Sequence, residues 1–161
     1  MNIEFRRSIL PIELDDLLDC DRRIFGAFPD DLFEPDAWNN LESYWMFADG
    51  VRVGCCAFEQ NCDYDERPRP GYLYIASTGI LPEFQGKGLG RRQKEWQIKY
   101  ARDHGFSVMV TNMRQSNVKM KGLNESVGFR FRCFDPDYYE TPDEAAIVME
   151  LSLVPDNGPD H

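Results

Sequence analysis

Gln85-Gly86-Lys87-Gly88-Leu89-Gly90 decides how this chain is read. Three glycines alternate through six residues, just after an apolar, β-branched run and just before a run with helical spacing. Alternating glycines let the backbone approach a ligand closely and turn its N–H groups inward. A helix beginning at Gly88 would add unpaired amide donors and a partial positive charge. Together these features suit a phosphate or a pyrophosphate. Two familiar nucleotide motifs fail on spacing. A P-loop needs a Lys-Ser or Lys-Thr pair after its last glycine, which is absent. A dinucleotide fingerprint would put glycine at position 91, where Arg91 stands. A tight turn without a ligand is the plain alternative, since glycine is the default turn residue.

Working outward, residues 72–80 are aromatic and β-branched and predict a central strand leading into the loop. Residues 88–104 predict a helix, with Leu89, Trp96, Ile98 and Tyr100 among its apolar positions and His104 capping its end beside Gly105. Residues 106–110 read as a short buried strand. Residues 117–127 read as a helix closed by Gly128, and 129–134 and 145–153 as two last strands. Upstream, residues 3–8 form a first strand and Pro11 opens a helix. A second short helix is expected over 31–41, with Trp38 and Leu41 on one side. Residues 44–48 and 51–58 form a hairpin, because both residues of Asp49-Gly50 suit a turn that wants positive φ. The prolines at 68 and 70 predict a loop over 60–71. The order β-α-α-β-β-β-α-β-α-β-β argues for one mixed α/β domain over 1–154, with a polar tail at 155–161.

Composition narrows the class. The chain has 161 residues, enough for one domain with a real core. Its net charge of −10 lacks the basic footprint of a nucleic-acid binder and would attract a cationic substrate such as an amine, although net charge often serves only solubility. No apolar run approaches the roughly 20 residues of a membrane helix, and the N-terminus has no signal-peptide core, so no membrane partner and a cytoplasmic location are expected. Five cysteines without a C-x-x-C pair read as core or surface thiols. With only His104 and His161, no metal site is expected.

The loop Q-x-x-G-x-G after Ile80-Leu81-Pro82-Glu83-Phe84 resembles the acetyl-CoA motif of the GNAT N-acetyltransferases. Arg114-Gln115-Ser116-Asn117, followed by Leu123, Gly128 and Phe129, resembles the downstream helix of that family, which usually ends in a Leu-Tyr-Glu-x-x-Gly-Phe pattern. Both motifs occur in order, and the likeness spans about residues 44–153. It implies a single-domain α/β fold with a central, mixed, mostly antiparallel twisted sheet flanked by helices. It also implies direct transfer of an acetyl group from acetyl-CoA, as co-substrate, to a primary amine acceptor. A homodimer is compatible with it, though no sequence feature requires one.

Carried over residue by residue, the backbone of Gln85, Gly86, Lys87, Gly88, Leu89 and Gly90 would hold the pyrophosphate, with charge from Lys87 and Arg91. Ile80 and Leu81 would pair with the pantetheine arm like an added strand, and a bulge near Gly79 would aim an amide at the thioester carbonyl. Asn117 would bond the cofactor, cap its helix, or both. One departure stands out. Asn124 occupies the place of the tyrosine that usually protonates the leaving thiolate, and an amide is no acid. Water, Tyr138 or Tyr139 would then assist. For the base, the resemblance points to the start of the central strand, where Tyr74 lies, and Glu59 at the end of the preceding strand would act through water. Two other readings stay open: a non-catalytic acyl-CoA-binding or sensor domain, motivated by Asn124, and an interaction module built on the aromatics between Phe28 and Trp45.

Overall fold

The computed structural model describes residues 1–154, and the tail expected at 155–161 lies outside them. Seven strands form one sheet: β1 (Ile3–Arg7), β2 (Glu42–Ala48), β3 (Val51–Cys62), β4 (Pro68–Ile80), β5 (Val108–Arg114), β6 (Arg130–Tyr139) and β7 (Glu144–Ser152). Their spatial order is β1-β2-β3-β4-β5-β7-β6. Every neighbouring pair is antiparallel except β4 and β5. Three helices flank the sheet: α1 (Leu14–Phe25), α2 (Leu89–Asp103) and α3 (Val118–Ser126). The mixed, mostly antiparallel sheet matches the expected class. No helix among the described residues is long and apolar enough to cross a membrane.

Side-chain alternation along the strands builds two cores. Cys56 and Phe58 of β3 and Leu73 and Ile75 of β4 pack beneath Ile98, Tyr100 and Ala101 of α2. Cys55 and Ala57 point the other way, against Leu17 and Cys20 of α1 with Trp38 and Trp45. Both tryptophans are fully buried, so the aromatic stretch proposed as an interaction module is largely interior.

Four expectations are corrected. The helix expected at 31–41 is instead two 3₁₀ segments, Pro29–Asp31 and Pro35–Asn40, each with a proline in its first turn. The first α-helix begins at Leu14 and not at Pro11. The loop expected over 60–71 shrinks, because β3 runs to Cys62 and β4 starts at Pro68. β5 pairs with β4 only from Tyr72 onward, so Pro68 and Pro70 sit where that side of β4 is an open edge and a missing N–H is tolerated. Finally, β5 lies later than expected and runs on to Arg114, while β6 extends to Tyr139. The Asp49-Gly50 turn has the two positive φ angles it was expected to need, 49° and 80°.

Gly54 and Gly79 lie almost opposite each other on β3 and β4. A Cβ on Gly54 would run into the carbonyl oxygen of Gly79, whereas one on Gly79 would meet Ile24 Cγ2 at 2.7 Å. Backbone cannot yield as a side chain can. Gly54→Ala is therefore expected to lower the unfolding free energy by about 2–3 kcal/mol in a urea titration. Gly79→Ala should lose less, because Ile24 can turn away. Equal losses in the two variants would count against this packing.

Candidate functional site

β4 and β5 pair over three residues only, Tyr72–Tyr74 with Val108–Val110. Beyond them the strands part. β4 stays paired with β3 as far as Ile80, while β5 follows β7 as far as Arg114. Two inner strand edges thus face each other without a ladder across a cleft of about 970 Å³. Its walls include Glu59, Tyr74, residues 75–78 of β4, residues 111–114 of β5, Asn117, and Met120 of α3.

The edge of β4 offers backbone groups to this cleft. The Leu81 N–H donates to Val53 O at 2.8 Å. Because Gly54 stands opposite Ile80, ladder alternation turns the N–H and C=O of Thr78 and Ile80 away from β3. The Ile80 carbonyl then accepts from Gln85 Nε2 at 2.9 Å, which ties the glycine loop to the end of the strand. The Leu81 N–H is committed to Val53, and its carbonyl accepts from the Phe84 N–H (2.9 Å), which leaves one carbonyl lone pair for a ligand. The bulge is a correction. Ser77 pairs with Ala57 and Ile75 with Phe58, so the extra residue is Ala76 and not a neighbour of Gly79. Gly79 is glycine because Ile24 of α1 lies over it.

At the start of α2, Gly86 and Gly88 take φ of 79° and 78°, a left-handed backbone that side chains avoid. A Cβ at either would meet nothing within 4 Å, so the space above the loop is open. Gly88 is the N-cap and no side chain among the described residues caps the helix, which leaves the first-turn amides as open donors there. Lys87 is exposed, 5.6 Å above the Phe84 ring. Arg91 donates to Ser126 Oγ at 2.9 Å and so links α2 to α3. Leu89 is buried, and Gly90 sits 3.6 Å (as a Cβ) from Leu123. Residues 85–91 do not line the cleft; they lie beyond the end of its β4 wall.

Asn117 lines the cleft and caps α3, its Oδ1 accepting from the Met120 N–H at 3.2 Å. Asn124 is fully buried, with Nδ2 3.8 Å from Met113 Sδ, and does not line the cleft. Tyr74 donates to Asn112 Oδ1 at 2.6 Å, and Asn112 Nδ2 donates to the Tyr139 hydroxyl at 2.8 Å. Burial pushes the Tyr74 phenol well above its ordinary value and Tyr139 well above its own. Both are therefore neutral at neutral pH, so Tyr74 is a hydrogen-bond donor and not a base. Glu59 lies opposite Tyr74 on β3 and lines the same cleft.

The sequence reading missed Asn112 and Arg114 as parts of the site. Arg114 ends β5 almost wholly buried, and all five of its donors are used. It makes a two-point pair with Asp31 (2.8 and 2.9 Å), reaches Glu144 at 3.3 Å, and donates to the carbonyls of Pro142 and Glu140. Phe28 and Tyr139 stack on its guanidinium. Its place at the head of the quoted Arg114-Gln115-Ser116-Asn117 motif was the signal available in the sequence.

A sequence model described as the acetyltransferase (GNAT) family matches residues 12–129. The ribosomal protein bS18-alanine N-acetyltransferase of Escherichia coli (strain K12) is 35% identical over 81 residues, covering 49% of this chain and 55% of that protein. The chain thus spans about half the length of the curated relatives it matches. The crystal structure of an Escherichia coli ribosomal-protein-alanine N-acetyltransferase superposes with a TM-score of 0.77 at 21% identity, covering 97% of this chain and 98% of that one. A Salmonella typhimurium structure, yncA with its cofactor acetyl-CoA, gives 0.75 at 22% identity over 99% of both chains. These likenesses establish the fold.

Proposed function

The chain belongs to the GNAT acetyltransferase family, and on that premise we propose that it transfers an acetyl group from acetyl-CoA to a primary amine in a ternary complex. The observation that carries this reading is the splayed cleft. Its β4 edge leads directly to an uncapped helix N-terminus with two left-handed glycines. An elongated molecule with a pyrophosphate at one end fits that arrangement. The amides of residues 86–91, with Lys87, would hold the pyrophosphate. Arg91, partly engaged by Ser126, would add charge. The outward groups of Thr78 and Ile80, together with Asn117, would hold the arm.

In the reaction the amine nitrogen attacks the thioester carbonyl carbon. The C–N bond forms, the C–S bond breaks with its electron pair going to sulfur, and nitrogen releases one proton. The bulge at Ala76 breaks the ladder beside this point and would free an amide for the developing oxyanion. Glu59 would take the proton through water. Tyr74 would orient the acceptor as a neutral donor. Asn124 can neither donate a proton efficiently nor reach the cleft. A thiol near pKa 8.5 is a tolerable leaving group without an acid. Location in the cytoplasm belongs to this same reading.

Isothermal titration with acetyl-CoA tests the site. Gly88→Glu places a side chain in left-handed backbone and a negative charge where the pyrophosphate would sit. Affinity is expected to fall by about a hundredfold or more. Unchanged affinity in the folded variant would overturn the assignment. Saturable binding without CoA release across a broad amine panel would favour the acyl-CoA-binding reading, which Asn124 supports.

A further inference from the structure

Two glutamines stand on the buried face of α2, where packing alone would ask for apolar side chains. Gln93 is 2% exposed and Gln97 is fully buried. Further along the same helix, Ile98 and Ala101 pack into the core. Burying an amide is costly unless its donors and its acceptor find partners. Gln93 finds them on two strands. Its Nε2 donates to the carbonyl of Cys55 on β3 at 3.1 Å and to that of Gly79 on β4 at 3.4 Å. Its Oε1 accepts from the Thr78 hydroxyl at 3.0 Å. The same hydroxyl accepts from Gln97 Nε2 at 2.9 Å. Gln97 Oε1 has no partner among the described residues, so this second amide serves Thr78 alone.

Thr78 lines the cleft, and its backbone N–H and C=O turn away from β3 toward the open edge. Its hydroxyl is engaged as donor and as acceptor, which holds the side chain in one rotamer and the strand with it. Gln93 stands one turn into α2, whose first amides are open donors beside Gly88. The Gln85 bond to Ile80 fixes the loop, and Gln93 fixes the helix behind it. Building on the acetyltransferase reading, we propose that Gln93 and Gln97 are positioning residues. Through the Thr78 hydroxyl they set the β4 edge that holds the arm at a fixed distance from the amides that hold the pyrophosphate. Both halves of acetyl-CoA then meet a site already spaced for them. A ligand that bridges two subsites of fixed spacing gains from both at once, and the gain falls as the spacing loosens.

Isothermal titration with acetyl-CoA and with 3′-phospho-ADP, the nucleotide half of that cofactor, separates this role from a structural one. Gln93→Met keeps the length of the side chain and removes its hydrogen bonds. It should weaken acetyl-CoA by about tenfold and 3′-phospho-ADP by less than about twofold, because the loop amides themselves are untouched. Thr78 supplies a second pair of variants should Gln93→Met fail to fold. Thr78→Val keeps the shape without the hydroxyl and should reproduce the selective loss. Thr78→Ser keeps the hydroxyl and should stay within about twofold of wild type. Unchanged acetyl-CoA affinity in Gln93→Met or Thr78→Val overturns the inference, as does a Thr78→Ser variant as weak as Thr78→Val. An equal loss for the two ligands overturns it too, since a general loosening of α2 would give that result. A wild type that does not bind acetyl-CoA sinks the underlying reading instead.

Discussion

Arg114→Met should lower the unfolding free energy by about 3–5 kcal/mol, one of the largest losses expected from a single substitution in this chain. The side chain of Arg114 is 5% exposed, and its removal strands Asp31 and Glu144, each with a side chain only 16% exposed. Two backbone carbonyls lose their donor as well. The penalty of leaving carboxylates half-buried and unpaired exceeds any packing the methionine restores. Arg114→Lys should recover little of it. An ammonium is a point charge with three donors and cannot span Asp31, Glu144, Pro142 and Glu140 at once. Because Asp31 sits in the first 3₁₀ segment, the loss also unties the acceptor wall from β5. Urea unfolding measures the first effect, and a raised KM for the amine the second. A loss under about 1 kcal/mol, or full rescue by lysine, would show that Arg114 is a solvated bystander.

How much of this was legible beforehand depends on the range of the interaction. Local rules placed the Asp49-Gly50 turn, the Asn117 cap and the left-handed Gly128, since each depends on one or two residues' own backbone preferences. The glycine loop was equally plain. The start of α2 followed from it, because an uncapped helix after alternating glycines has few other uses. Strand lengths were not legible where tertiary pairing overrode local composition. Pro68 and Pro70 read as breakers, yet no β5 residue faces them, so they cost the ladder nothing. Segment 31–41 carries helical spacing over too few residues, and Pro35 in its middle divides it, so a short 3₁₀ segment results.

Glu59 and Tyr74, the residues proposed for the reacting end, both line the cleft, but the protonation of Tyr74 follows from burial that only the fold reveals. The bulge was expected at a glycine because glycine is what sequence offers as a marker. The chain instead places it at Ala76 and keeps Gly79 for contact with Ile24. Arg114 stood inside the quoted motif, but nothing local announced that Asp31, eighty-three residues earlier, would meet it.

Lys94→Met should make the protein more stable at neutral pH, by up to about 3 kcal/mol, or roughly 5–10 °C in Tm. Lys94 lies on the buried face of α2 at 1% exposure, and its Nζ has no hydrogen-bond partner among the described residues. The nearest compensation is the Phe129 ring, 5.7 Å away. Desolvation therefore pulls its pKa from 10.5 down to about 8, only weakly opposed by the Cys56 thiol. The sign follows from proton counting. Between about pH 8 and 10.5 the unfolded chain binds the proton that the folded chain has released, so stability rises with pH through that window. Below about pH 8 the ammonium is buried charged and the penalty is full; above 10.5 both states are neutral and it vanishes. Methionine keeps the length of the side chain without the charge, so the gap between variant and wild type should be widest at pH 7 and close toward pH 10.5. Titrations of other groups cancel in that difference. A methionine variant less stable than wild type at pH 7 would mean that Lys94 is satisfied by a partner, and a gap that does not change with pH would mean that only packing had altered.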